Sequence, residues 1–143
     1  MKRLECLLLS VIMAVVLILS GCAHSPGFKQ VENIPADKAV IYIYHSGGSN
    51  HYFLPIFVLA NDKDVAELKK GTYYPYVTEP GVIEFIVRAM GTSSLVLDIE
   101  AGHTYYLKGS VPSGFSSAPS LVLVSMEVGT KEIANCKLMP SHK

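Results

Sequence analysis

The chain has no tryptophan, only three cysteines in 143 residues, and no net charge, with 12 Lys and Arg facing 12 Asp and Glu. Each shortage excludes something. Balanced charge leaves no electrostatic footprint for nucleic acid or for an anionic lipid surface. Half the residues are apolar and 17% are charged, which excludes a disordered chain, because disorder needs few apolar residues and a high net charge. There is no internal repeat and no low-complexity tract. No strand-like segment is followed by an amphipathic stretch of about 10–15 residues, so a βαβ architecture is excluded. The length fits one domain.

Long apolar runs are also scarce, with one exception. Lys2 and Arg3 precede a run from Leu7 to Leu19 that is apolar apart from Ser10. As a helix it would reach roughly 20 Å at 1.5 Å per residue. A bilayer core of about 30 Å needs roughly 20 residues, so the run has the length of a signal-peptide apolar region, not of a span. Leu19-Ser20-Gly21-Cys22 follows: an apolar residue, two small ones and a cysteine. Small Ser20 and Gly21 leave room for a peptidase at an extended backbone, and the thiol is a nucleophile for lipid transfer. This quartet resembles the bacterial lipobox. The resemblance implies a diacylglycerol thioether on Cys22, cleavage between Gly21 and Cys22, acylation of the new amino terminus, and hence a membrane partner. Ala23, where an Asp would signal retention in the inner membrane, implies the periplasmic face of the outer membrane.

The expected organisation is a signal peptide over 1–21, a tether over 22–37, a β domain over 38–138 and a tail over 139–143. Cys6 leaves with the signal and Cys22 is lipidated. Cys136 then has no internal partner, which points to a buried thiol, with an intermolecular bridge or a reactive group as alternatives.

From Ala39 onward the chain reads as strands. Ala39 to His45 is β-branched and aromatic throughout. Tyr52 to Ala60 contains Pro55, which predicts an edge strand or a bulge. Val65 to Leu68 and Thr72 to Thr78 follow, separated by a Lys69-Lys70-Gly71 turn. Glu79-Pro80-Gly81 is turn chemistry. In Val82 to Arg88, Ile83, Phe85 and Val87 alternate with Glu84 and Arg88. Leu95, Leu97 and Ile99 alternate with Val96, Asp98 and Glu100 after a turn over 90–93. Thr104 to Val111 and a long last strand, Leu121 to Val128, flank a loop over 112–119. Thr130 to Asn135 predicts one helical turn capped by Thr130. The fold class expected is all-β: a single antiparallel β-sandwich, immunoglobulin-like or transthyretin-like, of about seven or eight strands.

Several segments carry a family resemblance. They are Ala36-Asp37-Lys38-Ala39-Val40-Ile41-Tyr42-Ile43-Tyr44, Ala66-Glu67-Leu68-Lys69-Lys70-Gly71-Thr72-Tyr73, Pro80-Gly81, Ala101-Gly102-His103-Thr104-Tyr105-Tyr106-Leu107 and Lys131-Glu132-Ile133-Ala134-Asn135-Cys136-Lys137-Leu138. Together they resemble a widespread group of bacterial lipoproteins that carry a domain of unknown function. Val65 to Leu107 is also similar to PEGA-type modules, which are small β-sandwiches. The chain departs from these patterns at His45, where an Arg followed by Pro is expected, and at Asn61-Asp62-Lys63-Asp64, which replaces Asn-Gly-Lys. The resemblance implies fold and location and brings no activity.

Candidate chemistry is sparse. His45, His51 and His103 supply imidazoles, but no HxH, HExxH or Cys–His spacing joins them into a zinc site. Gly114-Phe115-Ser116-Ser117-Ala118 approaches the G-x-S-x-G elbow, yet it lies between strands and lacks the last Gly. Gly47-Gly48 has no strand-to-helix context and no Lys-Ser or Lys-Thr for a phosphate loop. Asp98 and Glu100, with Glu84 nearby, read as a solvated sheet face. Eight tyrosines are the most distinctive content, and they read as sheet packing with hydroxyls at the rim. The function expected is a non-catalytic, lipid-anchored envelope module, with an envelope protein or peptidoglycan as partner and with no cofactor, catalytic residue or nucleic acid. The alternative is a small-ligand or metal-binding protein using the His45–His51 loop with Tyr105 and Tyr106.

Overall fold

The computed structural model describes residues 27–46, 54–112 and 118–139. Within them run β1 (Ala39–His45), β2 (Ile56–Ala60), β3 (Lys63–Leu68), β4 (Thr72–Thr78), β5 (Gly81–Arg88), β6 (Thr92–Ile99), β7 (Thr104–Ser110), β8 (Ser120–Val124), α1 (Met126–Ile133) and the short β9 (Lys137–Leu138). The first sheet has the order β8-β7-β1-β4-β9 and the second β3-β2-β5-β6. The chain is an all-β sandwich. Antiparallel pairs dominate, but β1 pairs with β7 and β4 with β9 in parallel.

Period-two alternation builds the core between the sheets. Ala39, Ile41 and Ile43 of β1 meet Ile56 and Val58 of β2 and Ile83, Phe85 and Val87 of β5. The opposite side of β1 is also covered: Val40, Tyr42 and Tyr44 join Tyr73, Tyr106, Ile133 and Cys136 in a second cluster. All seven β1 residues are therefore buried. A strand buried on both faces has no polar side to show, which is why its sequence does not alternate.

The cover on the second cluster comes from two segments. One is α1. The other is residues 28–34, within the segment read as a tether, whose Phe28, Val31 and Ile34 pack against the cluster. The Phe28 ring stands edge-on to Tyr42 at 5.0 Å and to Tyr73 at 5.3 Å. Such pairs add about 0.5–1.5 kcal/mol beyond area burial. The Val31 and Lys29 amides donate to the Tyr42 and Tyr73 hydroxyls at 2.7 and 3.0 Å.

Three local expectations are corrected. β2 is not an edge strand, since it lies between β3 and β5. Pro55 precedes its first residue, so the missing N–H interrupts no ladder bond; a bulge does occur, between Val58 and Leu59. β6 begins at Thr92, because Thr92 and Ser93 already pair with Arg88 and Val87. The long last strand is cut short. β8 ends at Val124, and Ser125 then caps α1 by accepting from the Val128 amide at 3.4 Å. Thr130 lies inside the helix, where its hydroxyl donates to the Met126 carbonyl. A serine cap with Glu127 in the first turn outweighs the strand preference of Val128.

Candidate functional site

α1 crosses the outer face of the first sheet. Gly129 and Ile133 are its buried positions, and Cys136 follows them down. Beside the helix, where β1, β4 and β7 end, lies an open cleft of about 630 Å³ lined by Ser46, Gly71, Lys108, Glu132, Asn135 and Cys136, among others.

The cleft's polar centre is Glu132. Its Oε2 accepts from the Tyr44 hydroxyl at 2.6 Å and its Oε1 from Lys108 Nζ at 2.6 Å. Burial works to raise the pKa of this carboxyl, but the hydrogen bonds from Lys108 and Tyr44, together with the lysine charge, outweigh it and hold the pKa below the usual value. The Tyr44 phenol is pushed up by burial and by its bond to Glu132. The Cys136 thiol is raised to about 11 by burial and by the Glu132 charge. It is free and buried, its Sγ lying 3.8 Å from the Glu132 carbonyl oxygen. A thiol with so high a pKa is protonated at neutral pH and is a poor nucleophile. A carboxylate with both oxygens bonded is committed to holding helix to sheet.

The residues singled out from sequence do not converge. His45 closes β1 at 7% exposure, and neither ring nitrogen has a hydrogen-bond partner among the described residues. Burial, then the Lys70 charge, lowers its pKa, which favours the neutral form of the ring. Tyr105 faces the inter-sheet core, its hydroxyl accepting from the Glu100 amide at 3.0 Å. Tyr106 points the other way, under α1, and stacks on Tyr42 at 5.4 Å. Tyr105 pairs with Ile41, four residues from His45, or about 13 Å along a strand. His103 is exposed, with Nε2 3.7 Å from Glu100. Glu84 and Asp98 are exposed but diagonal, opposite Val96 and Val82 respectively. No group of three His, Cys, Asp or Glu among the described residues is placed to hold a metal. Gly21, Cys22, Gly47, Gly48, His51 and residues 113–117 lie outside the described residues.

Two features escaped sequence reasoning. The Tyr44–Glu132–Lys108 cluster joins residues 88 positions apart, and no spacing signals it. The other is the outer face of the second sheet, where Val82, Val96 and Phe57 are 67, 58 and 45% exposed. The alternation that marked Ile83, Phe85 and Val87 as inward carried this signal, since it placed Val82 and Val96 outward. No helix among the described residues is long and apolar enough to cross a membrane. No family model, no curated protein and no solved structure matches the chain.

Proposed function

We propose that the chain is a lipid-anchored envelope protein, held at the outer membrane through Cys22, whose sandwich is a non-catalytic interaction module. Leu19-Ser20-Gly21-Cys22 after the apolar run carries the reading. Several acyl chains, at about 0.8 kcal/mol per buried methylene, make such an anchor stable.

The module role is supported by the open face of the second sheet. Val82 and Val96 are diagonal neighbours on β5 and β6 there, 67 and 58% exposed, whereas Phe57 stands opposite Arg88 toward the other end of β5. The Val82–Val96 pair is aliphatic. Sugar rings stack on aromatic faces, so this composition favours an envelope protein over peptidoglycan as partner. The groups at the α1 cleft support a non-catalytic reading, because Glu132, Tyr44 and Lys108 are spent on one another.

The test places a photo-crosslinking amino acid at Val82, Val96 or Thr130 in cells. A discrete protein adduct from Val82 and Val96, and none from Thr130 on α1, is expected. Equal adducts from all three, or none from Val82 and Val96, would reject the module role. The mass of the amino-terminal peptide tests the anchor separately.

A further inference from the structure

The edge of a sheet is a row of unpaired amides and carbonyls, and most edges of this sandwich are blunted. β9 has two residues. β8 has five and packs beneath β6 and β5. β3 carries Lys63, Asp64 and Glu67 and a bulge. β6 differs: it has eight residues, with one charge, no proline and no glycine. Its free groups follow from the ladder. The Glu84 amide and carbonyl both turn to Asn61, on the β2 side. Val96 lies opposite Glu84, so its own amide and carbonyl point away from β5. The same holds at every second residue. Thr92, Ser94, Val96 and Asp98 therefore offer their backbone groups outward, with no strand beside them among the described residues. Their side chains are also the exposed ones of the strand.

We propose that β6 pairs antiparallel with β6 of a second copy of this chain, joining the two four-stranded sheets into one. The inference rests on the interaction-module reading and names its partner. The four outward residues are centred on Leu95. With Leu95 on the two-fold axis, Thr92 pairs with Asp98 of the second copy and Ser94 with its Val96, and the reverse, each pair exchanging two hydrogen bonds. An axis at Ser94 or Val96 would leave Asp98 or Thr92 beyond the end of the partner strand. Charge is complementary in the Leu95 register. Arg88 stands opposite Thr92, so Asp98 of the second copy falls in the same row. It lies two strand spacings away, roughly 10 Å, within reach of an arginine laid over Thr92. Neither Arg88 nor Asp98 has an ion-pair partner among the described residues. The exposed valines line up as well: Val82, Val96 and their two counterparts form one oblique stripe across the joined sheet. The axis stands normal to the sheet, so both copies turn residues 28–34 to the same side, and two Cys22 anchors can enter one membrane. The contact is small, in the weak class below about 1,200 Å², and anchored copies in one membrane meet at a raised effective concentration.

The test uses the full chain, made in cells as two differently tagged copies with a photo-crosslinking amino acid at Ser94 or Val96. From each position an adduct of twice the chain mass, carrying both tags, is expected. Adducts that join one tag to another protein would overturn self-pairing and leave the module reading standing. No adduct from Ser94, Val96 or Val82 would overturn both. Two sets of variants, with the crosslinker at Val96, test the geometry. Ser94→Pro removes an amide that the ladder to β5 does not use, and proline is tolerated at such edge positions. Chain level should hold while the double-tagged adduct falls to background. Arg88→Asp and Asp98→Arg should each weaken the adduct several-fold, and the two together should restore it. Within one copy Arg88 is opposite Thr92, six residues or about 20 Å along the strand from Asp98, so restoration reports a contact between copies. An adduct that survives Ser94→Pro would overturn the pairing. So would a double exchange that stays as weak as the single ones, and this outcome decides where Ser94→Pro fails to fold.

Discussion

Gly129 of α1 lies directly over the ring of Tyr106 in β7: a Cβ on Gly129 would stand 2.3 Å from Tyr106 Cγ. The helix approaches the sheet this closely only because that position lacks a side chain. Gly129→Ala must lift the helix or displace a ring that is also stacked on Tyr42. Ala is the better helix former by about 1 kcal/mol, so propensity alone predicts stabilisation. Overpacking costs about 1–3 kcal/mol and should win. Urea denaturation is expected to show a lower midpoint for Gly129→Ala, with the loss reduced when Tyr106→Leu is added. A raised midpoint would place α1 further from the sheet.

The clamp on Glu132 is the second target. Glu132→Ala strands the Tyr44 hydroxyl and the Lys108 ammonium, and bonds to a charged group are worth about 1.5–3 kcal/mol. Glu132→Gln keeps an acceptor for Tyr44 and should cost less. In a double-mutant cycle, Tyr44→Phe and Glu132→Ala should be non-additive. Strictly additive losses would mean that the 2.6 Å contact contributes nothing.

Much of the fold was legible in the sequence, and the unread parts share one cause. β1, β4, β5 and β7 were readable because burial of one or both faces leaves a local pattern, as in Ile83, Phe85 and Val87. The parallel pairing of β1 with β7 was not readable, because it joins Val40 to Thr104 and no local residue encodes it. Ser125 was missed as a cap because the apolar run continues past it through Met126 and Val128, and period alone does not separate a short strand from the start of a helix. The Glu132 cluster is assembled from three elements only after the sheet and helix are in place. Histidines and paired tyrosines drew attention by residue type, yet Tyr105 and Tyr106, as strand neighbours, had to face opposite ways.

Stability should fall on acidification in two windows. The folded-state pKa of His45 is lowered, chiefly by burial. Between that value and the ordinary value of about 6.5, the unfolded chain binds a proton that the folded chain does not, so stability rises with pH across the interval. It is complete above about 6.5 and lost as pH falls. Glu132, also lowered, contributes in the same sense and loses its contribution below about 4.5, through its folded value. His45→Gln should flatten the profile just below pH 6.5 and leave the lower window intact. An unchanged profile would mean that His45 meets its proton equally well in both states.

The faces of β5 give the sharpest comparison. Phe85 is fully buried, with its ring edge-on to Tyr76 at 6.2 Å. Glu84 is exposed beside it, and only its backbone is bonded to Asn61: its amide donates to the side-chain oxygen at 3.0 Å and its carbonyl accepts from the amide at 2.9 Å. Those two bonds survive truncation of the Glu84 side chain. Phe85→Ala opens a cavity at the centre of the inter-sheet core and should cost about 3–5 kcal/mol. That is a large share of the roughly 5–15 kcal/mol available to a domain, so the denaturant midpoint should drop steeply. Glu84→Ala should move stability by about 0.5 kcal/mol or less. Asn61→Gly is informative as well, because Asn61 and Asp62 hold φ of 47° and 64° in the two-residue turn between β2 and β3. Glycine relieves the turn of its left-handed strain but removes the bond to the Glu84 amide. Asn61→Gly should therefore cost more than Glu84→Ala if the side-chain bond dominates. A larger loss for Glu84→Ala than for Phe85→Ala would reverse the two faces, since a one-residue slip in β5 exchanges them.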